Sequence, residues 1–468
     1  MCPDAANRDV MYVSPPTISI VTPSFNQAQY LEECIESVLG QGYPNLEYII
    51  MDGGSTDGSV EIIKKYEKHL TYWQSQPDGG QYRAITEGFR HTSGEIMAWL
   101  NSDDKYHPLA FTKVASVFMN YPDVHWLTGR ASTWDQTGHL SGITAKPPIF
   151  SRTKFFAGNF DKPQHIQQES TFWRRSLWET AGGCLAPDAR LAGDLELWLR
   201  FFRHVQLHTV DTLLGGYRFH GNQRGVTLAD QYYQESLTFL AQEKKSLELG
   251  QSTSYFPAIP KVLSVEKQEL AALPGSHAHP NHVRCWAEYT EDLLLCTNNM
   301  IAERRYGLAP FWLHEIELFC LLKPRAACLL RPALEALEQG WKQLESICNK
   351  ADAYEQSGRA DTAATLYRDG HELDPGYAPA AAGLLRCLQQ CGNSREALGL
   401  LPSILSLHAH DGDVIDAAVT ILSGYGAREQ ALGVCQEFLS VNPHDERIHK
   451  LTVEISCGEN GNEKNACT

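Results

Sequence analysis

The sequence predicts an α/β protein with a mainly parallel, doubly wound sheet, followed by an all-α repeat module. Three observations carry this. In the first half of the 468 residues, short β-branched apolar runs alternate with segments of helical spacing, the pattern of a parallel sheet covered by helices. Three of those runs stop on clusters of small polar and acidic residues. In the last third the chain matches itself at an offset of 34: Gly358, Gly392 and Gly426 coincide, as do Ala363, Ala397 and Ala431, then Leu366, Leu400 and Val434. A period of that length reads as stacked helix pairs.

Taken in order, "TISIVTP" (Thr17–Pro23) is the first strand and "QYLEECIESVL" (Gln29–Leu39) the first helix. "LEYIIMDGG" (Leu46–Gly54) and "GSVEIIKKYEKHL" (Gly58–Leu70) repeat the pair, and "GQYRAITEGFRHTSG" (Gly80–Gly94) carries a third helix into the buried strand "EIMAWLNSDD" (Glu95–Asp104). Ligands of such sheets bind at the carboxyl ends of the strands. The polar clusters stand at those ends: Thr22 to Asn26, Asp52 to Asp57, and Asn101 to Asp104. The expected organisation is an α/β domain over 15–227, a helical extension over 228–339, helical repeats over 340–457 and a disordered tail over 458–468.

A formal net charge of −16 argues against a nucleic-acid partner and against general binding to anionic membranes. The 13 cysteines are scattered without a framework and Met1 to Val13 is polar, so the expected location is the cytoplasm. No apolar run reaches membrane-spanning length. The nearest, Ala309 to Leu330, is interrupted by His314, Glu315, Glu317, Lys323 and Arg325, and Pro324 breaks it. It reads as a core helix pair, with a membrane-surface helix as the alternative. "HAHPNHVRC", with His277, His279, His282 and Cys285, does not match a common structural zinc spacing.

Two adjacent carboxylates at a strand end are costly unless positive charge neutralises them. Asp103 and Asp104 therefore point to a divalent cation, Mn2+ or Mg2+, shared with a diphosphate. The same residues also read as a helix cap ahead of Pro108. Asp52, beside Gly53 and Gly54, suits the acceptance of hydrogen bonds from a base or ribose, and equally suits an Asp-Gly-Gly turn.

"ISIVTPSFNQAQYLEECIESVLGQGYPNLEYIIMDGGSTDGS" followed by "SGEIMAWLNSDDKY" resembles the GT-A domain of glycosyltransferase family 2, in particular its bacterial members that build cell-surface polysaccharides. The resemblance covers about 18–225. The C-terminal period is similar to tetratricopeptide repeats, of which about three are visible. The first resemblance implies a nucleotide site made of Thr22, Pro23, Phe25, Asn26, Asp52, Gly54, Gln81, Ser102 and Asp103. It implies a metal site made of Asp103 and Asp104, with Asn101 standing where the family has its first acid. "AGDLELWLRFF" is similar to the segment that carries the general base, which leaves Asp194 in that role after Gly193. It reads equally as a helix N-cap. In "GGYRFHGNQRG", His220 takes the place of a residue that can join the metal or diphosphate site; alternatively, Arg218 meets the diphosphate charge. Tyr82 and Arg83 depart from the family pattern next to the donor sugar. The Q-x-x-R-W signature of processive members is absent, in keeping with single-sugar transfer.

The resemblance thus implies a metal-dependent, inverting transfer from a nucleoside diphosphate sugar, a UDP-sugar foremost, to a saccharide or lipid-linked acceptor. The acceptor would draw the protein to the inner face of the plasma membrane as a peripheral enzyme. The repeats would serve a protein partner or self-association. The alternative is a scaffold protein with a degenerate transferase domain. The presence of Asp52, Asp103, Asp104, Asp194 and His220 together favours catalysis.

Overall fold

The computed structural model describes residues 14–150, 165–248, 261–265, 283–322, 324–409, 411–441 and 445–457. Among these the chain divides into two compact units, the first built from residues up to 149 together with 166–232 and 258–286, the second from the rest.

The first unit is organised by an eight-stranded sheet. Its strands are β1 (Ile18–Ser24), β2 (Leu46–Asp52), β3 (Tyr72–Ser75), β4 (Ile96–Trp99), β6 (Trp126–Arg130), β9 (Thr171–Arg174), β10 (His208–Leu213) and β12 (Val262–Leu263), in the spatial order β12-β10-β6-β9-β4-β1-β2-β3. All neighbours run parallel except β9, which is antiparallel to both β4 and β6. Every residue of β1 is buried, as expected of a strand covered on both faces. Chain order reverses between β1 and β4, so the crevice beyond their carboxyl ends is the natural ligand site.

Helices α1 (Ala28–Leu39), α2 (Ser59–Tyr66), α3 (Gln81–Arg90) and α4 (Ala110–Asn120) follow from their patterning. In α1 the buried apolar residues are Leu31, Cys34, Ile35 and Val38, at the i, i+3, i+4, i+7 spacing of one helical face. In α3 the buried face includes Gly88, where a Cβ would lie 2.6 Å from Val21 Cγ1, so only glycine allows this helix its approach to β1.

A smaller four-stranded sheet, β5 (Lys105–Tyr106), β11 (Gly215–Arg218), β7 (Ser132–Trp134) and β8 (Leu140–Ile143), flanks the carboxyl edge. Pairing of Gly215 with Tyr106 and Gly216 with Lys105 brings the end of β11 beside Asp103 and Asp104. Beneath the crevice lie four buried indoles. Trp99 and Trp198 stack at 5.8 Å, and Trp173 and Trp126 close on them at 5.5 and 5.4 Å. Each such aromatic pair adds about 0.5–1.5 kcal/mol beyond its buried area. Trp198 belongs to α6 (Gly193–Phe202), which follows the short α5 (Arg175–Thr180).

In the second unit the apolar stretch at Ala309 forms a core helix. Ala309, Trp312, Ile316, Leu318 and Phe319 are buried, and this helix ends at Leu322 before another begins at Pro324. That next helix runs unbroken from Pro324 to Gln356, so the boundary expected at 340 falls inside it. Helix pairs then follow at the expected period. Gly358, Gly392 and Gly426 each end a helix at φ of +78°, +74° and +79°, and Ala363, Ala397 and Ala431 are fully buried between helices. Among the described residues no helix is long and apolar enough to cross a membrane. The histidine-rich stretch at 277–285 and the 458–468 tail lie outside the residues whose side chains are described.

Candidate active site

Beyond β1 the chain turns at Asn26, held at φ +53°. The Asn26 N–H donates to Ser55 Oγ at 2.8 Å, and its Oδ1 accepts from the Thr56 N–H at 2.9 Å, which ties the loop after β1 to the loop after β2. Asp52 organises that second loop. Its Oδ2 accepts from the N–H groups of Gly54 and Ser55 at 3.1 and 2.9 Å and from the Ser75 hydroxyl at 2.6 Å, while Oδ1 accepts from the Ser55 hydroxyl at 2.5 Å. Asp52 is therefore the anchor of its own turn, and a base donor would have to join or replace Ser55 on Oδ1. Phe25 is 61% exposed, and a Cβ on Gly53 would lie 3.2 Å from both Phe25 Cδ2 and Asp78 Oδ2. Phe25, Gly53 and Asp78 thus pack closely together, next to Gly54 at φ +86° and the buried Pro23. Thr22 differs from expectation. It is fully buried and its hydroxyl bonds the Tyr48 hydroxyl at 3.1 Å, so its side chain serves the core.

The Asn-Ser-Asp-Asp segment leaves β4 as a turn, with the Asp104 N–H donating to the Asn101 carbonyl at 3.1 Å. The Cys34 thiol donates to that same carbonyl at 3.3 Å. Ser102 is buried within the turn. The two acids part company here. Asp104 is 1% exposed, and its Oδ1 accepts from the Arg218 N–H at 2.8 Å while Oδ2 accepts from Asn101 Nδ2 at 3.1 Å. Asp103 keeps a partly exposed carboxylate, with Oδ2 3.3 Å from His220 Nε2. Of the two acids expected at a metal, Asp104 is turned into the protein and held there, which leaves Asp103 the more accessible. The helix-cap reading falls, because β5 follows the pair and α4 starts only at Ala110.

Among the described residues no group of three or more His, Cys, Asp or Glu side chains forms a closed metal cage. The Asp103–His220 pair offers one oxygen and one nitrogen donor, of which the Asp103 carboxylate is partly exposed. That fits a cation completing its shell from water and diphosphate oxygens. Arg218, expected to face a diphosphate, does not. It is buried, ion-paired with Glu33, and its Nε donates to the Asp103 carbonyl at 2.6 Å.

Asp194 is the second residue of α6, one place inside the helix rather than its cap. Trp198 and Phe201 on the same helix are buried among the indoles, and Arg200 ties it to the Cys184 carbonyl at 2.8 Å.

Residues 19–180 match the sequence profile described as glycosyl transferase family 2, and 354–420 match one for the tetratricopeptide repeat. An uncharacterized glycosyltransferase of Mycobacterium tuberculosis is 34% identical over 189 residues, which covers 40% of this chain and 69% of the relative. The putative teichuronic acid biosynthesis glycosyltransferase TuaG of Bacillus subtilis is 38% identical over 206 residues, covering 40% and 73%. The chain belongs to glycosyltransferase family 2. Its α/β half is the family's GT-A domain, and its C-terminal helices are tetratricopeptide repeats. Among solved structures, that of S. aureus TarS 1-349 in complex with UDP-GlcNAc covers 69% of this chain and 92% of its own, at 16% identity and a TM-score of 0.41.

The transferase site contains groups that the sequence reading did not single out. Glu169, in the turn Gln168–Ser170 just before β9, is buried and hydrogen-bonds the Asp104 carboxyl. Burial, and then the charges of Asp194 and Asp103, push the Glu169 carboxyl up to about 7 against the bonds that favour its charged form. Burial foremost, with the charges of Glu169 and Asp103, pushes Asp104 well above the usual carboxylate range. Both carboxyls are thus shifted towards their neutral forms. Asn101 now has a physical reason. Its amide donates to Asp104 and its Oδ1 accepts from Gln81 Nε2 at 2.7 Å, whereas an acid there would add a further negative charge to the cluster. Tyr30 stacks on His220 at 4.6 Å and also receives the Arg218 guanidinium over its ring at 4.9 Å. Only Glu169 had a visible signal, an acid among Gln167, Gln168 and Ser170 directly before an apolar strand.

Proposed function

We propose that this glycosyltransferase moves a sugar from a nucleoside diphosphate donor, a UDP-sugar foremost, to a saccharide or lipid-linked acceptor, with inversion at the anomeric carbon. One observation carries the reading. Gln81 bonds Asn101 in the turn that carries Asp103, and the adjacent Tyr82 bonds the Leu191 carbonyl just before Asp194, so the segments of the metal candidate and the base candidate meet at the start of α3.

In this reading the exposed ring of Phe25 offers a face to the nucleotide base, and Asn26, Gly54, Gln81 and Ser102 belong to the segments around it. Asp103 and His220 hold the divalent cation. When bound, the cation supplies positive charge against the departing diphosphate. Asp104, locked by Arg218 and Asn101, keeps the Asp103 backbone in place. Asp194 accepts the proton of the acceptor hydroxyl as that oxygen attacks the sugar C1. Trp198 and Phe201 fix the helix that carries it. The relative named for teichuronic acid biosynthesis supports an acceptor in cell-surface polysaccharide synthesis, and the repeats support a protein partner.

The test is thermal unfolding with UDP, GDP, dTDP and CMP, each with and without Mn2+. A ligand present at 100 times its dissociation constant adds about 2.7 kcal/mol of stability. A shift with UDP that needs Mn2+ is expected. No shift with any nucleotide, in folded protein, would transfer support to a scaffold role for the repeats.

A further inference from the structure

Gln81 and Tyr82 open α3 and bond two different segments of the first unit. Gln81 bonds Asn101 on the donor side. Tyr82 is buried, and its hydroxyl donates to the carbonyl of Leu191, three residues before Asp194. Its ring lies against Gly193: a Cβ built there would stand 2.8 Å from Cε2 and 2.9 Å from Cδ2 and Cε1. Cβ atoms do not approach other atoms so closely, so with Tyr82 in place residue 193 must be glycine. Glycine within a helix costs about 1 kcal/mol relative to alanine. Here it seats the first turn of α6 on an aromatic ring. The rest of α6 is anchored separately, by Trp198, Phe201 and Arg200.

We propose that Tyr82 is a positioning residue, and that it sets the placement of Asp194 through Leu191 and Gly193. This rests on Asp194 being the general base. Because Gln81 and Tyr82 are adjacent, the same dipeptide keeps donor side and base side in register. A base must lie within hydrogen-bond reach of its proton, and a displacement of about 1 Å can cost about a hundredfold in rate.

The test compares Tyr82→Leu, Gly193→Ala and the double variant with Asp194→Asn, all in the full chain. Two readouts are used: UDP release from UDP-glucose and UDP-N-acetylglucosamine with Mn2+, and hydrogen exchange of peptides spanning 189–202. Tyr82→Leu and Gly193→Ala are each expected to lower kcat by about a hundredfold with UDP affinity unchanged. Exchange should rise at 191–196 and stay unchanged at 198–202. The double variant should stay near the roughly hundredfold loss of either single variant rather than reach the product of the two, because with the ring gone the alanine no longer clashes. Unchanged exchange at 191–196, or a double variant no better than additive, overturns the proposal. Retained turnover in Asp194→Asn would instead defeat the base assignment, while the exchange result would still report on Tyr82.

Discussion

The N–H of Arg218 donates to Oδ1 of Asp104 at 2.8 Å across 114 residues of chain, and this bond decides which half of the acid pair faces the crevice. Asp104 becomes a strut, and Asp103 is left beside His220 with a partly exposed carboxylate.

Replacing the two acids should therefore have opposite consequences. Asp104→Ala leaves the Arg218 N–H and Asn101 Nδ2 without their acceptor in a buried setting, at about 1–3 kcal/mol for each unsatisfied group. Urea unfolding should show that loss. Asp103→Ala should leave stability within about 0.5 kcal/mol, as for a partly exposed side chain, while abolishing Mn2+-dependent stabilisation by UDP. Equal stability losses in the two variants would contradict the division of roles.

Asp194→Asn should lower kcat by about 10²–10⁴-fold, the usual contribution of a positioned base. UDP binding measured by calorimetry should stay as in the parent protein, because the nucleotide candidates Phe25, Asn26, Asp52 and Gly54 stand on β2 and the loops after β1 and β2, not on α6. Full turnover in this variant would remove Asp194 from the reaction.

The repeat glycines allow a clean measurement of backbone cost. Gly392 sits at φ +74° with nothing within 4 Å of a built Cβ, so a substitution there meets strain but no clash. Gly392→Ala should destabilise the repeats by about 1–2 kcal/mol, read by circular dichroism melting, and Gly392→Asn by less. No change for alanine would mean the turn relaxes out of the left-handed region.

Acid should weaken the first unit through His208. Burial, then the nearby Lys261 charge, lowers its imidazole from 6.5 to about 4, while Nδ1 accepts from the Lys261 N–H at 3.1 Å. The folded state thus keeps His208 neutral where the unfolded chain takes up a proton. The stability this represents is present above pH 6.5 and is lost as pH falls towards about 4. At about 1.4 kcal/mol per unit the loss is about 3 kcal/mol. His208→Gln should flatten the slope of unfolding free energy against pH in this window. An unchanged slope would place the acid sensitivity elsewhere.

Much of the site was legible because it is local. Asp52, Asp103 and the Asn26 loop stand at strand ends that hydrophobic periodicity locates, and the 34-residue offset marks the repeat glycines before any coordinate is seen. What stayed hidden is non-local. Glu169 reaches the crevice because β9 runs antiparallel to its neighbours, which puts the start of that strand at the edge where the parallel strands end. A sequence pattern carries no strand direction. Thr22 went the other way: its place at a strand end was right, but its hydroxyl found Tyr48 in the core.

From sequence alone came the alternation of strand and helix, the family motifs, the acids at the strand ends and the repeat register. All of these depend on residues within one turn or one strand of each other. Tertiary structure decided that Asp104 is a strut, that Arg218 answers Glu33, and that Gly193 exists to accept the ring of Tyr82. Those outcomes depend on which groups are desolvated together, and desolvation is settled by packing between segments that lie about a hundred residues apart.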